Sequence, residues 1–201
     1  MIMIFGVVLA GGIGSRMGNV DKPKQYLLVG EKPIIIHTLE RFYVQNEFEK
    51  IIVLCPEEWV SHTKNLIKKY MKDTERIVVL RGGDTRNETI MNSLRYIEKE
   101  YGLDDDTIVV THDSVRPFVT QRIIEENIKY AKEYGACDTA VAATDTIVYS
   151  QDNVLISDIP DRSKMYQGQT PQTFNALKLK NLYESLTEEE KATLTDAAKI
   201  F

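Results

Sequence analysis

Between residues 9 and 25 the chain runs Leu9-Ala10-Gly11-Gly12-Ile13-Gly14-Ser15-Arg16-Met17-Gly18 and then reaches Lys22-Pro23-Lys24-Gln25. Glycines at this density let backbone amides approach an anion, because no Cβ keeps a phosphate away and φ > 0 is open to them. Arg16 can grip phosphate oxygens with two donors at once, and Lys24 adds a compact point charge. The plain alternative is a glycine-rich strand–helix turn with two solvated basic residues. Two familiar phosphate loops do not fit. Gly12, Gly14 and Gly18 are spaced G-x-G-x-x-x-G, whereas dinucleotide binding wants G-x-G-x-x-G and an acidic residue at the end of the next strand. That next strand ends much later, near Cys55. The Gly-Lys-Ser/Thr of ATPase-type loops is absent.

Two further clusters carry chemistry. Gly82-Gly83-Asp84-Thr85-Arg86, with Thr89 beyond it, follows an apolar run. Paired glycines before a helix N-terminus allow a flat base to lie against backbone and be read by amides and carbonyls; a plain turn is the competing reading. His112-Asp113-Ser114-Val115-Arg116-Pro117 follows another apolar run. Asp113 suits Mg²⁺, a hard cation usually held by one or two carboxylates plus substrate phosphates. Its alternative is a cap or an ion pair with Arg116, and for Arg116 itself the structural pair is the favoured role. Ser114 can touch a ribose or simply turn the chain. His112 is read as a packing or orienting residue rather than a general base. If the nucleophile is a phosphate monoester, its second pKa is near 6, so it is already ionised at neutral pH and needs no base. His37 and His62 fall inside expected helices, and no metal-ligand spacing links the three histidines.

These clusters need a scaffold that brings them to one edge. The 201 residues, 43% hydrophobic and 27% charged, describe an ordinary globular chain read as one domain. A net charge of −5 argues against a broad nucleic-acid surface, so positive charge for an anionic substrate must be local. No apolar stretch is long enough to span a membrane, and the N-terminal run lacks the basic flank of a signal peptide. Two isolated cysteines, Cys55 and Cys137, are expected to be reduced core residues of a cytoplasmic protein.

Apolar runs at Ile4–Leu9, Ile51–Cys55, Ile77–Leu80 and Thr107–Thr111 read as buried strands. Helical periodicity predicts helices over 35–46, 57–71, from Thr85 through Ile97, and over 120–134. Thr85-Arg86-Asn87-Glu88 and Thr187-Glu188-Glu189-Glu190 carry the spacing of capping boxes. This alternation predicts an α/β fold with a mostly parallel, doubly wound sheet and helices on both faces. Ligands then bind beyond the strand carboxyl ends, where all three clusters lie. From Ala136 the rhythm changes. Ala140–Ala143 reads as a fifth strand, and Thr146–Tyr149 with Val154–Ile156 reads as a β-hairpin arm turning at Ser150–Asn153. A helix is expected over 175–186, and the box at Thr187 opens a last helical piece.

The pattern L-A-G-G-x-G-S-R-M-G…K-P-K-Q resembles the signature of sugar-phosphate nucleotidyltransferases. Together with Gly82–Thr89, the His112–Pro117 run and Gln169-Thr170-Pro171-Gln172-x-Phe174, it resembles the cytidylyltransferases acting on methylerythritol 4-phosphate or ribitol 5-phosphate. Thr111–Phe118 and Met165–Gln172 look more like the ribitol-phosphate branch, where the isoprenoid branch more often has alanines for Ser114 and Val115.

The resemblance implies a Rossmann-like nucleotidyltransferase fold and transfer of a cytidylyl group from CTP to ribitol 5-phosphate, serving teichoic-acid or capsule-type polymers. Methylerythritol 4-phosphate of isoprenoid synthesis is the alternative acceptor, and a CTP-binding module without catalysis or a dimerising scaffold are the non-enzymatic ones. By the same resemblance Arg16 and Lys24 stabilise transition-state charge. Leu9, Ala10, Gly11, Gly12, Gly14, Ser15, Gly82, Gly83, Asp84, Thr85, Arg86, Thr89 and Ser114 hold the nucleotide, and Asp113 holds Mg²⁺. Thr146 and Arg162 grip the acceptor phosphate from a second subunit's arm near 144–166, implying a homodimer. Family members continue past the Thr195–Ile200 stretch with a further Lys and Asp, so that segment is expected to be missing here.

Overall fold

A computed structural model describes residues 2–12 and 22–201. The first strand, β1 (Ile4–Leu9), is fully buried, as its unbroken apolar run requires. A two-residue ladder of β2 (Leu28–Val29) with β3 (Lys32–Pro33) leads into α1 (Ile34–Tyr43). Next come β4 (Phe48–Cys55), a short 3-10 turn, α2 (Val60–Tyr70), β5 (Ile77–Arg81), α3 (Arg86–Tyr101), β6 (Ile108–Asp113) and α4 (Gln121–Tyr134). The chain closes with β7 (Ala136–Ala142), β8 (Tyr166–Asn175), α5 (Ala176–Ser185) and α6 (Glu188–Thr193).

The main sheet has the order β5-β4-β1-β6-β8-β7, with the first four strands parallel and β8 antiparallel to both its neighbours. Alternate residues feed two cores. Val8, Ile51, Val53 and Val110 face α1, α2 and α4, meeting Ile36, Leu39, Phe42, Ile67 and Ile124. Phe5, Val7, Ile52, Leu54 and Val109 face α3 and α5, meeting Ile90, Leu94, Ile97 and Leu179. This is a Rossmann-like α/β fold, a mostly parallel sheet with helices on both faces, in which β7 and β8 form an antiparallel hairpin at one edge.

Four local expectations change. The strand at the end of the chain's β region was unforeseen: β8 is central, yet it is polar and contains Pro171. Proline is tolerated because the β7–β8 register breaks between Asp138 and Ala140, opposite that residue, so no ladder hydrogen bond is lost there. The inner hairpin at 146–156 is a loop closed by a single bridge, Tyr149 to Asp158. Its turn forms where the sequence places it: Asp152 accepts from the amides of Val154 and Leu155, and Asn153 has φ 60°. The box at residues 85–88 is not reciprocal. Thr85 caps Glu88 N–H, but the Glu88 carboxylate accepts from Asp84 N–H, one residue before the cap. The box at Thr187 and Glu190 is reciprocal. Both cysteines are free, Cys55 buried and Cys137 only half-buried.

Candidate active site

Register fixes where the loops begin. Leu9 lies beside Leu54 on one side and Asp113 on the other, and Leu54 lies beside Leu80, so β1, β4, β5 and β6 end in one row. The chain builds outward from β1 to β4 and β5, then returns to the other side of β1 for β6. The crevice at that reversal is where open α/β sheets bind ligands. Here it is a cleft of about 420 Å³ lined by Leu9, Gly11, Gly12, Gln25, Gly83, Asp84, Thr85, Arg86, Thr89, Asp113, Ser114 and Val115.

Ten of the expected site residues therefore share one cleft. Ala10 and Gly82 adjoin it as buried backbone, donating to Leu54 O at 2.8 Å and Cys55 O at 2.9 Å. Lys24 sits on a short 3-10 turn beside the lining residue Gln25, with its side chain exposed. Gly14, Ser15 and Arg16 lie outside the described residues. Thr146 and Arg162 are exposed on the arm and do not line this cleft, Arg162 donating to Thr144 O at 2.9 Å. Gln25 and Val115 line it without having been assigned to it; Gln25 stood within the Pro-Lys-Gln motif, which was its only signal.

The Gly82–Thr85 turn is shaped by what stands behind it. A Cβ on Gly83 would come within 2.5 Å of the Glu88 side chain, so only glycine lets the turn lie against α3 while Glu88 holds Asp84. Thr89, almost wholly buried, accepts from Gly83 N–H at 3.0 Å and donates to Thr85 O at 2.8 Å. Its role in this fold is to brace the turn from behind.

The loop after β6 is equally fixed. Ser114 N–H donates to Leu9 O, and Thr38 on α1 donates its hydroxyl to Ser114 O at 2.9 Å. Asp113 accepts from Arg116 Nε at 3.0 Å through Oδ2, while Arg86 approaches Oδ1 at 3.5 Å. Arg116 also donates to Gln169. The ion pair weighed against metal binding is thus present, and no cluster of three or more His, Cys, Asp or Glu that could cage a metal occurs among the described residues. Asp113 still fits Mg²⁺: Oδ1 is only loosely engaged, and this ion needs one or two carboxylates when phosphates complete its shell.

His112 is buried, stacks on Phe42 at 5.3 Å and meets Arg116 O through Nε2 at 2.9 Å. A carbonyl only accepts, so Nε2 carries the proton and Nδ1 is left buried without a partner among the described residues. Burial pushes the imidazole pKa down to about 4. It orients the loop that carries Asp113; with Nε2 bonded to Arg116 O and Nδ1 buried, neither nitrogen is open to act as a base. The folded value lies below the unfolded value of about 6.5, so its stabilising contribution is complete above that pH and is lost as pH falls toward about 4. The loss amounts to about 3 kcal/mol in all. Thermal unfolding between pH 7 and 4.5 should fall less steeply for His112→Gln than for the unaltered chain; parallel curves would count against a buried neutral imidazole.

A family model described as IspD, 2-C-methyl-D-erythritol 4-phosphate cytidylyltransferase, matches residues 4–201. Among solved structures, the 4-diphosphocytidyl-2C-methyl-D-erythritol synthase of Anaerococcus prevotii aligns with a TM-score of 0.78 and 26% identity, over 99% of this chain and 81% of that one. The Francisella tularensis 2-C-methyl-D-erythritol 4-phosphate cytidylyltransferase aligns with a TM-score of 0.78 and 28% identity, over 98% and 84%. A bifunctional IspDF from Campylobacter jejuni, at 23% identity and a TM-score of 0.75, supports the fold alone; it is matched over 98% of this chain and 46% of its own. These matches overturn the ribitol 5-phosphate reading and the cell-surface polymer role attached to it. That reading leaned on Ser114 and Val115 and on the Tyr166-Gln167-Gly168 run, which lies exposed in β8. Ser114 is 2% exposed with its backbone tied to Leu9 and Thr38, so it reports the packing of this loop more than the choice of acceptor. No helix among the described residues is long and apolar enough to cross a membrane.

Proposed function

We propose, since the chain belongs to the 2-C-methyl-D-erythritol 4-phosphate cytidylyltransferase family, that it transfers a cytidylyl group from CTP to 2-C-methyl-D-erythritol 4-phosphate and releases pyrophosphate. It is in any case a nucleotidyltransferase. The observation that carries the substrate reading is the match of residues 4–201 to that family; the cleft, where loops from β1, β5 and β6 converge at the reversal of strand order, supports it by offering a nucleotide site.

The acceptor phosphate attacks the α-phosphorus of CTP in line, forming a P–O bond as the bond to pyrophosphate breaks. The acceptor is ionised near neutral pH, so no base is needed, in keeping with a neutral, inward-facing His112. What the protein must supply is position and charge. Gly11, Gly12 and the Gly82–Thr85 turn hold nucleotide against backbone, and Ser114 borders the ribose. Arg16 and Lys24 meet the charge that grows on the phosphate oxygens. Asp113 would hold Mg²⁺, whose charge offsets that of the triphosphate.

Pyrophosphate release with CTP, Mg²⁺ and a panel of polyol phosphates tests this. The highest kcat/KM should fall to methylerythritol 4-phosphate, and UTP should be rejected by orders of magnitude where a buried group is left unpaired. Equal rates with UTP, or a higher kcat/KM for another five-carbon polyol phosphate, would remove the reading.

The arm is assigned to a second copy. Tyr149, Val154, Leu155, Ile156 and Ile159 are each more than half exposed on it, an apolar stretch that isolated loops rarely carry. In that assembly Thr146 and Arg162 reach the acceptor phosphate in the partner's cleft. Sedimentation equilibrium should give a dimer, and Leu155→Asp should yield monomers with little acceptor-dependent turnover. A monomeric unaltered chain with full activity would refute the assignment.

A further inference from the structure

Gln25 lines the cleft, yet only 1% of its surface is exposed. Its Nε2 donates to Ala10 O at 2.7 Å, across fifteen residues of sequence. Ala10 is a junction: its amide still bonds the sheet, at Leu54 O, while its carbonyl marks where the chain leaves the sheet for the glycines. A buried carbonyl left without this donor would cost free energy, so the amide and the glycine segment are held together.

The other side of the turn is anchored as firmly. Tyr26 is buried, meets the Thr63 hydroxyl at 2.7 Å and stacks on Trp59 at 4.7 Å between ring centres. The backbone of the 3-10 turn closes through Tyr26 N–H to Pro23 O and Leu27 N–H to Lys24 O. Lys24 is the exposed residue of a turn whose other two side chains are buried. One of those two is tied to the start of the glycine segment.

We propose that Gln25 is a positioning residue for the transfer: its bond to Ala10 O fixes the Lys24 turn relative to the glycine segment, so that the Lys24 ammonium meets the reacting phosphates. The inference rests on the role given to Lys24 above. Its effect appears in the rate of the chemical step. A displacement of the ammonium by about 1 Å costs transition-state stabilisation on the order of 10–100-fold and leaves ground-state binding of CTP nearly intact.

The test is a double-mutant cycle on kcat, with Gln25→Ala, Lys24→Ala and the two combined, each checked by thermal unfolding. Gln25→Ala should lower kcat roughly 10-fold or more with the KM for CTP little changed, and should add almost nothing on the Lys24→Ala background. The isosteric Gln25→Glu adds a readout that a packing role would not move. Its carboxylate cannot donate to Ala10 O, whereas the protonated carboxyl can. Its activity relative to the unaltered chain should rise reversibly as pH is lowered, and it serves alone if Gln25→Ala does not fold. The same fold-loss from Gln25→Ala with and without Lys24 would overturn the inference while leaving Lys24 its role, as would a Gln25→Glu profile parallel to that of the unaltered chain. An unchanged kcat for Lys24→Ala would overturn both.

Discussion

Lys24→Ala should lower kcat on the order of 10²–10³-fold, about 3–4 kcal/mol of transition-state stabilisation, while the KM for CTP changes little. Negative charge grows on the bridging and leaving oxygens only as the α-phosphorus bond breaks, so a cation aimed there is worth more in the transition state than in the bound substrate. The turn that carries Lys24 is held by the buried Gln25 and Tyr26, which is the preorganisation such a donor requires. Its ammonium makes no ion pair with a carboxylate among the described residues, in contrast to Arg86 and Arg116, which both engage Asp113. Steady-state kinetics with CTP varied at saturating acceptor separate the possibilities. A raised KM with kcat intact would assign Lys24 to ground-state binding alone.

Strands β1, β4 and β5 could be read from the sequence because each is an apolar run with a breaking residue just beyond it, Gly11, Pro56 and Gly82, and β6 because its first half is a run of Ile and Val. Strand β8 could not. Its buried centre is polar and held by long-range bonds from the Thr111 hydroxyl to Gln172 O, from Thr139 to Pro171 O, and from the Gln172 amide nitrogen to Asp138 and Asp196. Hydropathy patterning registers side chains that avoid water and misses those that exchange water for each other. The arm is present but differs in the opposite sense. Its apolar residues read as two strands, but they lie on an exposed loop with one bridge. Glycines and charges marked the cleft well enough to identify a nucleotidyltransferase. The acceptor branch is not legible from Ser114 and Val115, two positions on a loop whose backbone is fixed from Leu9 and Thr38, nor from Tyr166-Gln167-Gly168, which lie exposed at the start of β8.

Phe42→Ala should destabilise the fold by about 3–5 kcal/mol, the range for truncating a fully buried aromatic residue. Phe42 is wholly buried on α1, and its ring lies against three neighbouring parallel strands at once. It stacks on Phe48 of β4 at 5.3 Å and on His112 of β6 at 5.3 Å. Between them it covers Gly6 of β1, where a Cβ would come within 2.8 Å of the ring. The missing side chain at Gly6 is therefore the socket for this ring, and no other side chain can enter without moving β1 or α1. For a chain of this length the loss corresponds to a melting temperature lower by roughly 6–20 °C. The same truncation leaves His112 with one stacking partner fewer, and His112 holds Arg116 O in the loop that presents Asp113. Well below its melting temperature, folded Phe42→Ala should thus retain CTP binding but show a reduced kcat, whereas Phe42→Leu should recover most of both properties. A loss under about 1 kcal/mol on urea unfolding would show that the ring is not the element joining the central strands to α1.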